Sequence, residues 1–230
     1  CNTVDPILEY QQKLISDEVT GSNIFKLVKN GEVVYQEIAN SGKLGDKDIN
    51  DETIFPIWSM SKPVTTVAMM ILYDQGEFEL NDNLSDYLPE YKNMMCQNGD
   101  LIEPCQNQIK IIDLLTHRSG LGYYSDVYGT NNFISEPSPL FKYMNTYFYD
   151  DLNEFSLAVS KQTLEFEPGK HYYYGLNQDI LGRVIEVITG KTFYEFLVEN
   201  LFIPLEMNNT KFHLTLDDRE KFQPLVINKM

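Results

Sequence analysis

The sequence predicts an α/β protein, in which a sheet begun by a β-hairpin over residues 24–38 is joined to a helical subdomain over roughly 63–213. Three observations point to this. Ile24-Phe25-Lys26-Leu27-Val28 and Val33-Val34-Tyr35-Gln36-Glu37-Ile38 flank Asn30-Gly31, a pair that tolerates the positive φ angles of a tight hairpin turn. From Ser61 the apolar period becomes helical: Val64, Val67, Ala68, Ile71 and Leu72 recur at i, i+3, i+4, i+7 and i+8, with Pro63 in the first turn and Gly76 as the stop. Ile180, Leu181, Val184, Ile185 and Ile188 repeat that period over 177–189, where Gly190 ends it.

The remaining elements are read in chain order. Ile7, Leu8, Leu14 and Ile15 among polar residues predict an amphipathic helix over 5–17. A polar, Gly-containing loop reaches Glu52 and gives way to Thr53-Ile54-Phe55-Pro56-Ile57-Trp58. The helix from Ser61 is apolar on much of its circumference and should be central. Residues 81–108 read as loop, 109–115 as a short helix, and 121–150 as an aromatic stretch without a period, the pattern of a functional loop or lid. Two more helices are expected over 153–162 and 193–200. The chain thus divides into 1–62, the start of the α/β domain; 63–213, the helical subdomain; and 214–230, the start of a return to the sheet.

Composition bounds the function. At 230 residues and 43% hydrophobic, the chain can bury a full core. A formal charge of −16 argues against binding nucleic acid or anionic lipid, because phosphate contacts need Lys and Arg. No apolar run approaches the roughly 20 residues of a membrane span. The first residue is Cys1, which lipoprotein processing would leave as a lipid-anchored N-terminus; an arbitrary fragment start is the alternative. His117, His171 and His213 lie far apart and the three cysteines form no Cys-x-x-Cys pair, so neither a metal site nor a cofactor is expected. Cys96 and Cys105 bracket Asn98-Gly99-Asp100 and could close a hairpin-like loop, which would imply an oxidising compartment; two free loop thiols are the alternative.

The chemistry centres on Ser59-Met60-Ser61-Lys62, the one Ser/Thr-x-x-Lys in the sequence. Alone it is weak, since about one such match is expected by chance in a chain of this composition. A spacing of three on a helix stacks both side chains on one face, with Ser59 at a helix N-terminus whose free N–H groups suit an oxyanion. For Lys62 to accept a proton near neutrality, its pKa must fall by roughly three units from about 10.4. The bland reading is that Ser59 is an N-cap.

Context comes from resemblance. Phe55-Pro56-Ile57-Trp58-Ser59-Met60-Ser61-Lys62-Pro63 is similar to the first motif of class C β-lactamases and related esterases and peptidases. Gln75-Gly76-Glu77, Leu84-Ser85-Asp86-Tyr87-Leu88-Pro89, Leu115-Thr116-His117-Arg118-Ser119-Gly120-Leu121, Pro168-Gly169 with Tyr174-Gly175-Leu176, and Pro204-Leu205-Glu206-Met207 resemble further segments of that family, in family order. The resemblance implies a β-lactamase/transpeptidase-like fold of α+β sandwich type, an antiparallel sheet with a helical subdomain whose C-terminal strands are missing from this chain. It implies that Ser59 is acylated, that Lys62 activates it, and that Tyr174 shares the proton relay. Choosing Tyr174 over Tyr173 depends on the register of Asp179-Ile180-Leu181-Gly182 downstream. In the same segments His117 and Arg118 read as structural and His171 as loop-exposed.

Two departures shape the reading. Where β-lactamases have Tyr-x-Asn, Leu176 stands in the third place and Asn177 comes one residue late, which favours an esterase, peptidase or amidase over antibiotic hydrolysis. No Lys-Thr-Gly or His-x-Gly follows Pro204, so a further chain segment or a second polypeptide is expected to supply that third motif. The expected protein is a secreted, periplasmic or membrane-anchored serine hydrolase acting on a small ester, amide or peptide. The alternatives are a non-catalytic penicillin-recognising or binding domain, or a true β-lactamase.

Overall fold

The computed structural model describes residues 5–124, 127 and 149–223. Residues 1–58 with 211–230 form one compact unit and 59–210 another.

In the first unit, Asp5 caps helix α1 (Pro6–Ser16) by accepting from the Ile7 N–H at 2.9 Å, with Pro6 at the first helical position. Strands β1 (Asn23–Lys29) and β2 (Glu32–Ala39) pair antiparallel from Asn23 opposite Ala39 to Lys29 opposite Glu32, with a bulge between Leu27 and Val28. Asn30 at φ 52° and Gly31 at φ 82° make the turn their residue types allow. The α1 helix packs on β2. There Gln11 Nε2 donates to Asn23 Oδ1 (2.9 Å) and Glu37 O (3.2 Å), and the Tyr35 hydroxyl donates to Asp5 Oδ2 (2.5 Å). Phe25, Leu27, Val28, Val33 and Val34 are 40% to 55% exposed, so much of the hairpin's apolar surface is uncovered. A short helix, Leu216–Lys221, opens on a Thr215 and Asp218 capping box. After it the chain bridges Ile54 in parallel, with Ile54 N–H donating to Lys221 O and Gln223 N–H to Ile54 O, both at 2.9 Å.

The second unit is helical. Helix α2 (Ser61–Asp74) buries Thr65, Ala68, Met69 and Leu72, and leaves Val67 45% exposed, so its apolar stripe is narrower than its sequence suggests. The region read as loop over 81–108 contains helix α3 (Leu84–Tyr87) and a hairpin of β3 (Met95–Asn98) and β4 (Leu101–Pro104). A Cys96–Cys105 disulfide closes that hairpin, with the two Cα atoms 5.0 Å apart. Helix α4 (Ile111–Leu115) starts two residues later than its sequence predicts, because Asp113 accepts from the Lys110 N–H at 3.0 Å and so fixes Lys110 as the cap residue. Asp151 caps α5 (Leu152–Val159), which is shorter than the expected 153–162 at its C-terminal end. Helix α6 (Asn177–Thr189) has the expected bounds, with Gly190 at φ 68° as its left-handed cap. In place of one helix over 193–200, α7 (Phe193–Leu197) runs into a π-turn at Val198–Phe202. Most of the aromatic 121–150 stretch lies outside the described residues.

Helix α6 is the hub of this unit. It packs against α2, α4, α5 and α7, and its buried face of Ile180, Leu181, Val184 and Ile185 meets Ala68, Met69, Leu114 and Phe196 in one core. That packing matters for the chemistry, because the first motif lies at the start of α2 and the second runs into the start of α6.

Candidate active site

Ser59 lies in a 3₁₀ turn, Trp58–Met60, just ahead of α2 rather than inside it. Trp58 enters that turn at φ 47°, a left-handed conformation that is strained for a bulky residue. Lys62 occupies the first turn of α2, and its Nζ reaches Ser59 Oγ at 3.2 Å. Tyr174 approaches from 115 residues away, with its hydroxyl 2.6 Å from the same Oγ. Lys62 Nζ stands 4.6 Å from the Tyr174 ring centroid, a cation–π contact. All three residues belong to the unit 59–210.

The placement of Tyr174 follows from two neighbours. Leu176 is fully buried in the core at the threshold of α6. Gly175 lies so close to the 121–122 backbone that a Cβ there would stand 2.1 Å from Leu121 O and 2.9 Å from Gly122 Cα. The Tyr173 N–H donates to His117 O at 2.8 Å, which lays 173–175 along 117–122. Of the three consecutive tyrosines, this sends Tyr174 to Ser59, whereas the Tyr173 ring meets Phe166 edge-on at 6.4 Å.

The electrostatics run against a neutral lysine base. Burial pushes Lys62 down, but the Tyr174 hydrogen bond and the charges of Tyr123, Tyr174 and Asp179 outweigh it and hold the ammonium above its ordinary pKa. Burial raises the Tyr174 phenol, but hydrogen bonds with Lys62 and Ser59 and the ammonium charge outweigh that and lower it. The pair therefore favours a protonated lysine beside a phenol that ionises readily. The expected depression of Lys62 is absent because its nearest partner stabilises the cation.

The other singled-out residues take different places. Arg118 and Gly169 tie two loops together, the guanidinium donating to Gly169 O and the Gly169 N–H donating to Arg118 O at 2.8 Å. His171 is exposed and meets Phe166 at 5.2 Å. His117, read from the sequence as structural, stacks on the Tyr174 ring at 5.0 Å and 27°. Tyr123, which the sequence reading passed over, lies with its ring 6.0 Å from that of Tyr174. Its position three residues after Gly120, in a run already singled out, was the available signal. Asn177 is buried and bonded to Ser119 and His117, so neither it nor Leu176 presents an amide where Tyr-x-Asn would. Among the described residues, one cluster could offer three metal ligands, Cys96, Cys105 and Glu167, and its two sulfurs are joined in the disulfide.

A family model for β-lactamases matches residues 19–225, which is most of the chain. The chain belongs to the β-lactamase family. It is 29% identical over 201 residues to Protein Rv1367c of Mycobacterium tuberculosis, covering 85% of this chain and 47% of that protein. It is 27% identical over 192 residues to Esterase EstB of Burkholderia gladioli, covering 81% and 45% respectively. The chain thus spans about half the length of these relatives. Among solved structures, EstCE1, described as a hydrolase with promiscuous acyltransferase activity, superimposes with a TM-score of 0.75 at 23% identity, over 96% of this chain and 58% of its own. The fold is therefore β-lactamase/transpeptidase-like, as the resemblance in the motifs implies.

Proposed function

We propose that the protein is a serine hydrolase that forms a covalent acyl-enzyme on Ser59, with an ester or a non-lactam amide or peptide as substrate. One observation carries this: the Ser59 hydroxyl is held between the Tyr174 hydroxyl and the Lys62 ammonium, at 2.6 and 3.2 Å. When the phenol has lost its proton, Ser59 donates across the 2.6 Å contact. Oγ then attacks the substrate carbonyl carbon, and its proton passes to the phenolate. Lys62 keeps its charge beside the phenol and lowers the cost of ionising it. The Tyr174 proton passes to the leaving alcohol or amine as the tetrahedral intermediate collapses. Water, deprotonated by the same phenolate, attacks the acyl carbon; as that second intermediate collapses the bond to Oγ breaks, Tyr174 returns the proton to Oγ, and the acid leaves with free Ser59 restored.

The buried, apolar Leu176 and the inward-turned Asn177 favour an ester or peptide over a β-lactam. A relative named as an esterase and a structural neighbour titled a hydrolase with acyltransferase activity support the same choice. Two observations support a further chain segment or second polypeptide completing the sheet and the third motif: the exposed apolar residues of the hairpin and the half-length match to the relatives. The disulfide supports an extracytoplasmic location.

The test is to incubate the protein with a fluorophosphonate and weigh it intact. A single adduct that disappears in Ser59→Ala is expected, and an adduct that persists in that variant would sink the assignment. Comparing p-nitrophenyl esters, D-Ala-D-Ala peptides and nitrocefin then orders the substrate classes, with nitrocefin expected to be the slowest.

A further inference from the structure

Three side chains that the acyl-transfer steps do not use form a chain of hydrogen bonds behind Tyr174. The Leu121 N–H donates to Ser119 Oγ at 3.0 Å, so the Ser119 hydroxyl sends its proton to Asn177 Oδ1 at 2.5 Å. That contact turns the Asn177 Nδ2 amide toward His117 Nδ1, 3.0 Å away. Ser119 and Asn177 are fully buried, so no solvent can repair a reversed amide. A donor facing Nδ1 makes that nitrogen an acceptor and leaves the neutral ring's proton on Nε2.

The ring so fixed lies flat against Tyr174, 5.0 Å between centroids and 27° between planes, with Tyr172 edge-on at 5.9 Å on the same imidazole. His117 holds this position at φ 54°, where Asn or Gly would be less strained. The groups that bear on it are the Tyr172 and Tyr174 rings, the Asn177 amide and the Lys62 ammonium, the last of which joins burial in lowering its pKa.

We propose that His117 is a positioning residue for Tyr174: a neutral imidazole, locked as its Nε2–H tautomer by Ser119 and Asn177, whose face holds the phenol at the angle that delivers its hydroxyl to Ser59. The catalytic meaning of this rests on the hydrolase reading above. The tautomer and the coupling to Tyr174 can be measured without any turnover.

The test uses the full-length protein and the His117→Asn variant. Asparagine is at ease at positive φ and retains an acceptor for Asn177, so the change removes the ring alone. Long-range ¹H–¹⁵N spectra of the three histidines report the tautomer, and ¹³Cζ-labelled tyrosine, assigned with Tyr174→Phe, reports the phenol. In the parent, His117 is expected as Nε2–H when neutral, with its titration lying below the ordinary histidine midpoint of about 6.5 because burial and the Lys62 charge both disfavour the cation. In His117→Asn, the melting temperature is expected to hold while the Tyr174 titration moves up by about one pH unit, tenfold in its ionisation equilibrium. Fluorophosphonate labelling of Ser59 should slow by about the same factor. His117→Phe, which restores a stacking ring, should bring the titration back to within about threefold of the parent value. An Nδ1–H tautomer, an ordinary histidine titration, or an unmoved Tyr174 titration in His117→Asn would overturn the proposal. An unlabelled Ser59 in a parent whose Tyr174 still responds to His117→Asn would instead overturn the hydrolase reading and support the coupling.

Discussion

Gly175→Ala should unfold the second motif while changing one hydrogen to a methyl group. The added Cβ would stand 2.1 Å from Leu121 O, 2.9 Å from Leu121 C and 2.9 Å from Gly122 Cα. All three are backbone atoms, so no rotamer change can relieve the clash. An ordinary carbon–oxygen contact is about 3.3 Å, so the two segments must part by roughly 1 Å, and Leu121 and Leu176 are both fully buried on either side of the contact. Overpacking against fixed backbone costs about 3 kcal/mol or more, which in a chain of this size lowers the melting temperature by roughly 6 to 12 °C. The same displacement carries Tyr174 away from Ser59, so labelling should fall by more than the unfolded fraction explains. Gly122→Ala is the matched control. Its Cβ meets only the ends of two side chains, Glu165 Oε1 at 3.0 Å and Tyr173 Cε1 at 3.1 Å, which can give way, and it should cost under about 1 kcal/mol. The measurement is a thermal melt by circular dichroism with a parallel fluorophosphonate time course. Equal melting temperatures for the two variants would refute the argument.

Four further outcomes are expected. Tyr174→Phe removes the hydroxyl 2.6 Å from Ser59 and should slow labelling by about 10²- to 10⁴-fold. In the parent, the labelling rate should rise with pH to a midpoint below the usual phenol value of about 10, because Lys62 lowers Tyr174, and that midpoint should move up in Lys62→Ala; a flat profile would contradict the phenolate base. Reduction of Cys96–Cys105, which spans nine positions, should cost about 2 to 3 kcal/mol on the loop-entropy scale, read as a lower melting temperature in dithiothreitol that Cys105→Ser reproduces and reductant then leaves unchanged. Asp218, hydrogen-bonded by the Thr215 N–H and paired with Lys211, has its pKa lowered to about 2 from an ordinary 3.8. A carboxylate depressed in the folded state contributes stability above the unfolded value and loses it as pH falls. The stability gap between parent and Asp218→Asn should therefore be full above about pH 4 and close between pH 4 and 2, and a constant gap would refute the pairing.

The sequence by itself determined what depends on neighbours along the chain. The Asn30-Gly31 hairpin and the bounds of α6 follow from turn chemistry, apolar period and a left-handed glycine cap, all local. The Ser59 and Lys62 pair is equally local, three residues apart, and the disulfide closes a short hairpin. The start of α4 moved because the Asp113 carboxylate accepts from the Lys110 N–H and fixes the cap there, whereas α5 and α7 differ from expectation mainly at their C-terminal ends, where hydrophobic period marks no stop. Resemblance singled out Tyr174 among three adjacent tyrosines, but the physical reason that it is the one beside Ser59 is tertiary, Gly175 pressing against Leu121 across more than fifty residues. Only the tertiary structure turned Asn177 inward onto Ser119 and His117, and laid His117 against Tyr174. The direction of the Lys62 shift was beyond the sequence for the same reason. The lysine's apolar neighbours in the chain favour a neutral amine, but the phenol brought to it by folding stabilises the charge.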